Sequence, residues 1–245
     1  YYVIAIDGTW TIERKTRHCE HCLTQKQDGV TTYYHMALEA KIVTPNGFAI
    51  PVLTEFVENT VGQTKQDCEL KAFYRLAKRL KEAFPRLPML LTMDGLFACG
   101  PVFQLCEDYN WKYMVVLKNG SLPSVNEEFA CLSGLQPENR LTRPGVNRRV
   151  EKQEFRWVNG IEYTDTEKRA HVLDVIECVD TRPNKGAVEE RTFRWVTNFR
   201  VTWRNVVELA NDGGRIRWRI ENEGFNVQKN GGYGLTHVYS TNGNS

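Results

Sequence analysis

"YYVIAID", residues 1–7, is an apolar run closed by a carboxylate. Apolar residues at odd and even positions alike mean burial on both faces, so the stretch predicts a central strand ending at Asp7. "MLLTMD", residues 89–94, repeats the pattern, and Asp94, like Asp7, is followed by glycine. A single Asp-Gly pair predicts a turn. Two such pairs, each closing a buried strand, predict carboxylates gathered at one edge of a sheet.

Working outward, residues 8–30 read as polar loop. "TYYHMALEAKIV" (32–43) and "FAIPVLTEFV" (48–57) read as antiparallel strands joined at "PNG" (45–47). Leu70, Phe73, Ala77, Leu80 and Phe84 recur at helical spacing within 64–84, and Pro85 and Pro88 stop that helix. A short helix over 100–110 begins with Pro101, and a strand follows over 112–119. Residues 120–199 turn rich in Arg, Glu, Thr and Val and read as several antiparallel strands. There "EFRWVNG" (154–160) and "TFRWVTN" (192–198) echo each other, which suits two similar strands of one sheet, with Trp157 and Trp195 in its core, ahead of a true repeat. "WRNVVELA" (203–210), a "NDGG" break, a helix over 215–229 and a Gly-rich tail complete the chain.

Three antiparallel strands, a helix and a parallel strand form the order of a ribonuclease-H-like core. The expected fold is α/β: a mixed sheet flanked by helices, with core segments 1–120 and 200–240, a β-rich insertion over 121–199 before the last helix, and a flexible tail over 241–245. The chain has 245 residues, 41% hydrophobic and 25% charged, which suits a large globular domain. It has no apolar run of about 18 residues and no secretory leader pattern. It opens without Met, inside a strand, and so reads as a fragment lacking its N-terminal part. Net charge is +2, but residues 138–156 concentrate Arg140, Arg143, Arg148, Arg149, Lys152 and Arg156 in a basic stretch that suits either DNA or a solvated strand edge.

Seven cysteines, several in apolar contexts, suit a reducing cytoplasm. "HCEHC" (18–22) holds one C-x2-C pair flanked by histidines. A structural zinc site takes four ligands, usually from two such pairs, and there is no second one, so the segment reads first as a turn, with zinc on Cys19, Cys22 and a nearby histidine as the other reading. Motifs of Ser hydrolases, P-loop proteins and H-E-x-x-H metalloproteases are absent.

Converging carboxylates repel unless a cation lies between them, and oxygen ligands select Mg²⁺ or Mn²⁺. A third carboxylate would permit two ions about 3.5–4 Å apart, clamping both attacking and leaving oxygens of a phosphodiester. The helix "RIRWRIENEGFNVQK" (215–229) supplies it. At about 100° per residue, Arg219, Asn222, Asn226 and Lys229 form a solvent strip, opposite Arg217, Glu221, Gly224 and Gln228. Glu221 is thus expected to point inward and Glu223 to sit at the boundary, beside Arg219. Trp218 and Phe225 flank this face, as packing or as an apolar platform for a flipped base. Glu55 and Glu58 read as strand caps, Asp67 and Glu69 as acids at a helix start, and His237 as a surface residue.

With Asp7, Asp94 and "RWRIENEGF" in place, the sequence resembles the DDE transposases of bacterial insertion sequences, in the group whose catalytic helix carries Y-x2-R-x3-E-x6-K. Arg217 and Glu221 match R-x3-E. The tyrosine slot is Gly214, and the lysine slot is Gln228, with Lys229 one residue on. The resemblance implies that Asp7, Asp94 and Glu221 hold two Mg²⁺ (or Mn²⁺) ions, and that the reaction nicks transposon ends and transfers the freed 3′-hydroxyl into target DNA. It implies DNA contacts from Arg217, Lys229, Arg148 and Arg149, homo-oligomers on paired ends, and a prokaryotic cytoplasmic, nucleoid-associated setting. A metal-dependent nuclease on the same fold, or a non-catalytic DNA-binding relic, are the other readings.

Overall fold

The computed structural model describes residues 1–17, 19–59, 65–147, 149–184 and 187–236. His18, Arg148, His237 and the 241–245 tail lie outside them. In chain order the elements are β1 (Tyr2–Arg14), β2 (Leu23–Gln27), β3 (Val30–Val43), β4 (Ala49–Val57), α1 (Glu69–Ala83), β5 (Met89–Met93), α2 (Gly100–Asp108), β6 (Lys112–Val116), α3 (Pro123–Leu135), β7 (Arg140–Asn147), β8 (Val150–Thr164), β9 (Ala170–Asn184) and β10 (Ala187–Thr197). Short helical turns follow, among them π turns at Leu209–Gly214 and Ile220–Phe225, and then α4 (Asn226–Asn230). The chain is mixed α/β and divides into two compact units, Tyr1–Val3 with Pro88–Arg217, and Ile4–Leu87 with Trp218–Ser245.

In the second of these units β3 is the central strand. Along one edge it pairs antiparallel with β1, from Ile4↔Ile42 to Arg14↔Tyr33. Its other edge is shared: Val30–Tyr34 pair with β2, and Met36–Val43 pair with β4. Residues 8–30 are therefore not loop throughout. The strand that opens with "YYVIAID" runs on to Arg14, and a hairpin turns at Asp28 and Gly29, both with positive φ (49° and 78°). The polar alternation of "TWTIER" and the exposed face of β2 conceal strands whose outer side meets water. On the inner side α1 buries Ala72, Phe73, Leu76, Ala77 and Leu80. Arg75 and Arg79 reach across to Glu55 at 2.6 and 2.7 Å, and Arg75 also holds Asp67 at 2.7 Å. Glu55 and Asp67 therefore anchor α1 to β4 and its connection.

In the other unit β5 and β6 are parallel, with Leu90↔Lys112 in register. β6 then pairs antiparallel with β10, so the β-rich stretch continues the sheet of β5 and β6. β10, β9, β8 and β7 follow as a long antiparallel ribbon. The stretch does not consist of strands alone, because α3 precedes them. That helix buries only Val125, Phe129 and Ser133, a stripe too narrow to stand out in the sequence.

The echo between 154–160 and 192–198 has a structural cause. Both segments flank the same part of β9: Phe155 and Phe193 pair with Cys178, Arg156 and Arg194 with Glu177, and Trp157 and Trp195 with Ile176. Alternation puts the aromatics on one face, where Trp157 (3% exposed) and Trp195 (2%) form the core with Val206, Leu209 and Ala210. On the opposite face both arginines close on the buried Glu177, Arg194 at 2.6 Å.

Three buried aspartates make folding acid-sensitive. Burial pushes each carboxyl up, but the Arg75 side chain at Asp67, Gln153 and Arg215 at Asp180, and the Arg169 amide and His171 at Asp165 outweigh it and hold each below its usual 3.8. A carboxyl lowered in the folded state contributes stability above its unfolded value and loses it as pH falls through the folded one. Asp174, raised by burial, works in the opposite sense. Urea midpoints are expected to fall steeply below pH 3.8, the ordinary value of the three lowered carboxyls, and Asp180→Asn should flatten that limb. A limb unchanged by that variant would remove Asp180 as a cause.

Candidate active site

Asp7 lies inside β1, not at a turn. Ile4, Ala5 and Ile6 before it are 1, 0 and 0% exposed, whereas Asp7 is half-buried, and its Oδ1 accepts the Gly8 amide at 3.1 Å. Directly across the ladder stands Glu39, a second carboxylate that the sequence concealed within "MALEAKIV". Cross-strand like charges repel unless compensated. Compensation comes from Lys41, whose Nζ is 2.7 Å from Glu39, both side chains being almost fully buried.

Gln228 completes this cluster. Its Oε1 accepts from Lys41 Nζ at 2.6 Å, and its Nε2 donates to both Glu39 oxygens at 3.2 Å. An amide can serve both members of an ion pair; a lysine could serve only Glu39 and would set a second ammonium beside Lys41. The lysine slot of the resemblance is thus filled by a residue suited to a site that already holds a cation. Lys41 also lies 4.8 Å over the Phe225 ring, and a Cβ on Gly224 would come within 3.1 Å of its Nζ. Any side chain there would require Lys41 to give by a few tenths of an ångström.

Strand alternation gives the geometry its meaning. Gly8 faces Met36 and Glu69 on the α1 side, where a Cβ would meet Met36 Cε at 2.3 Å. Asp7, Glu39 and Lys41 occupy the opposite face, which receives Gly224, Phe225 and Gln228. The segment carrying Glu221 is therefore fastened, through Gln228, to the cross-strand neighbour of Asp7.

Glu221 itself does not point inward. It is exposed, as are Asn222 and Glu223, while Ile220 is 0% and Phe225 5% exposed. The 100° face argument fails here because Ile220–Phe225 is a π turn, whose i→i+5 bonding widens the helix and shifts each successive side chain. Gly224 and Gln228 do face inward, as expected. Arg219 does not turn to Glu223; its Nη2 donates to the Pro45 carbonyl at 2.7 Å. Trp218 is 46% exposed, so of the two flanking aromatics only Phe225 is packed.

Asp94 belongs to the other unit and closes β5, whose Met89–Met93 are all buried. Its Oδ1 accepts the Leu96 amide at 2.8 Å, capping the turn Gly95–Phe97, and its Oδ2 lies 3.4 Å from Lys118 Nζ. In that unit the tyrosine slot is closed by packing. A Cβ on Gly214 would come within 2.5 Å of the Trp195 indole, so the core aromatic occupies the space a side chain would need.

Of the residues expected to contact DNA, Arg217 and Lys229 are half-buried and Arg149 is exposed. The basic stretch is partly spent within the fold: Arg156 holds Glu177, Lys152 pairs with Glu154 at 3.3 Å, and Arg140 reaches the Ser133 carbonyl. No known protein-family profile matches the chain, and no curated protein matches it. No helix among the described residues is long and apolar enough to cross a membrane.

Proposed function

We propose that the chain is the catalytic region of a DDE-type transposase with a ribonuclease-H-like core, in which Asp7, Asp94 and Glu221 hold divalent cations for phosphodiester chemistry on DNA. The observation that carries this reading is the tether from Gln228 to Glu39, which docks the Glu221 segment on the face of β1–β3 that Asp7 occupies. The same transition recurs at each acid. A buried, mainly apolar residue or run (Ile4–Ile6, Met89–Met93, Ile220) gives way to a carboxylate that solvent can reach. Hard carboxylate oxygens suit Mg²⁺ or Mn²⁺. Bound there, such ions would supply charge stabilisation for the attacking and leaving oxygens.

The chain's own residues set the rest. Lys118 pairs with Asp94 across 3.4 Å and would balance its charge until a divalent cation took that place. The Lys41–Glu39 pair balances charge beside Asp7, which stands directly across the ladder from Glu39. Arg217, Lys229 and Arg149 are the cations for the DNA backbone, with Arg148 between the described segments. Incubation with DNA carrying the ends of the element that encodes the chain tests the proposal: strand breaks should require Mg²⁺ or Mn²⁺.

A further inference from the structure

Read alone, "HCEHC" offers one C-x2-C pair and no partner pair. The fold provides a third donor from β3. Cys19 Sγ is 3.4 Å from Cys22 Sγ and 3.1 Å from His35 Nε2, and Cys22 Sγ is 3.7 Å from the same nitrogen. This is the group of His, Cys, Asp and Glu side chains, among the described residues, whose ligating atoms all lie within 4.8 Å of one another. We propose that Cys19, Cys22 and His35, with solvent as the fourth ligand, bind a zinc ion that staples the β1–β2 connection to β3.

The distances match a tetrahedral face. Zinc with sulfur at about 2.3 Å and nitrogen at about 2.0 Å sets neighbouring sulfurs about 3.8 Å apart and sulfur to nitrogen about 3.5 Å apart. The observed edges lie within a few tenths of an ångström of these. A disulfide would need the two sulfurs about 2.05 Å apart. Two soft thiolates and an imidazole select zinc over the hard ions proposed for the carboxylates. On binding, each thiol gives its proton to solvent and both sulfurs coordinate as thiolates.

The surrounding backbone holds the knuckle without using the thiols. Arg17 Nε donates to the Cys19 carbonyl at 3.0 Å. Asn59 Nδ2 donates to the Cys22 carbonyl at 2.8 Å, and the Asn59 amide donates to the His21 carbonyl at 3.2 Å. His21 is drawn off to the Asn59 carbonyl at 2.8 Å, so it does not compete for the same point. On the facing strand β1 shifts register between Trp10 and Ile12, opposite Met36 and His35. Such a bulge re-aims the neighbouring side chains. Carbonyls fixed from outside, with Cys22 buried at 2% exposure, orient three donors onto one point.

The test is the metal content of the full chain purified after growth with zinc, followed by exchange into Co²⁺. Elemental analysis should find about one zinc per chain, and the cobalt form should show thiolate charge-transfer absorption with the strong visible bands of a tetrahedral site. Cys22→Ser and His35→Ala should lose both signals. Cys131→Ser, at an exposed cysteine elsewhere, should keep them, as should Asp94→Asn, which separates this site from the carboxylate proposal. If the ligand variants fail to fold, the wild-type cobalt spectrum decides alone. Zinc-free wild-type protein without cobalt bands, or an intact mass short by two hydrogens from a Cys19–Cys22 disulfide, would overturn the proposal.

Discussion

Asp94→Asn and Glu221→Gln are each expected to slow Mg²⁺-dependent strand cleavage about a thousandfold, the effect of losing about 4 kcal/mol of transition-state charge stabilisation. Neither should disturb folding. Asn at position 94 keeps the Oδ1 acceptor for the Leu96 amide, and the pair it breaks with Lys118 is a surface one, the lysine side chain being 62% exposed. Such pairs are worth about 1 kcal/mol at most. Glu221 is exposed, and replacement there falls within about 0.5 kcal/mol. Asp7→Asn should show the same split for a different reason. It keeps the acceptor for the Gly8 amide and removes a charge directly opposite Glu39. Single-turnover cleavage rates set beside urea midpoints separate the two quantities. Equal cleavage by the three variants and the parent would remove the carboxylates from the mechanism.

Lys41→Met should destabilise the protein by about 3–5 kcal/mol, because it strands Glu39 as a buried charge held by the neutral Gln228 amide. The double variant Lys41→Met with Glu39→Leu should recover most of that loss, since neither charge then remains to be paid for in desolvation. The comparison matters for function because the same cluster fastens the Glu221 segment to β3. Cleavage by Lys41→Met should fall at temperatures where the wild type is still folded, in step with its lower urea midpoint. A single variant costing less than about 1 kcal/mol would show that the pair is not the anchor the geometry makes it.

The sequence and the fold agree where the signal is local. The apolar run closing on Asp94, the i, i+3, i+4 stripe of α1 and the Asn-Gly turn at 46–47 each depend on neighbours a few residues away, and each is found, whereas the strand read as ending at Asp7 runs on to Arg14. The paired "FRW" segments were legible as strands of one sheet, yet their common partner, the Ile176–Glu177–Cys178 run of β9, lay far off in sequence. β2 and the far end of β1 escaped notice because their outer faces are polar, and α3 because its buried stripe is one residue wide. The site was hidden for a further reason. Glu39, Lys41 and His35 sit in one unremarkable strand, and only pairing register brings them to Asp7, Gln228 and the cysteines. The exposure of Glu221 could not be read from a 3.6-residue period, since the π turn that carries it departs from that period.

Cleavage of DNA spanning the junctions between the proposed transposon and its flanks, in Mg²⁺ and in EDTA, decides whether the chain carries the proposed chemistry. Breaks are expected at the element ends in Mg²⁺ only, leaving 3′-hydroxyl termini that then join to a target duplex. Breaks that persist in EDTA, or folded protein that leaves the junctions intact in both Mg²⁺ and Mn²⁺, would contradict it.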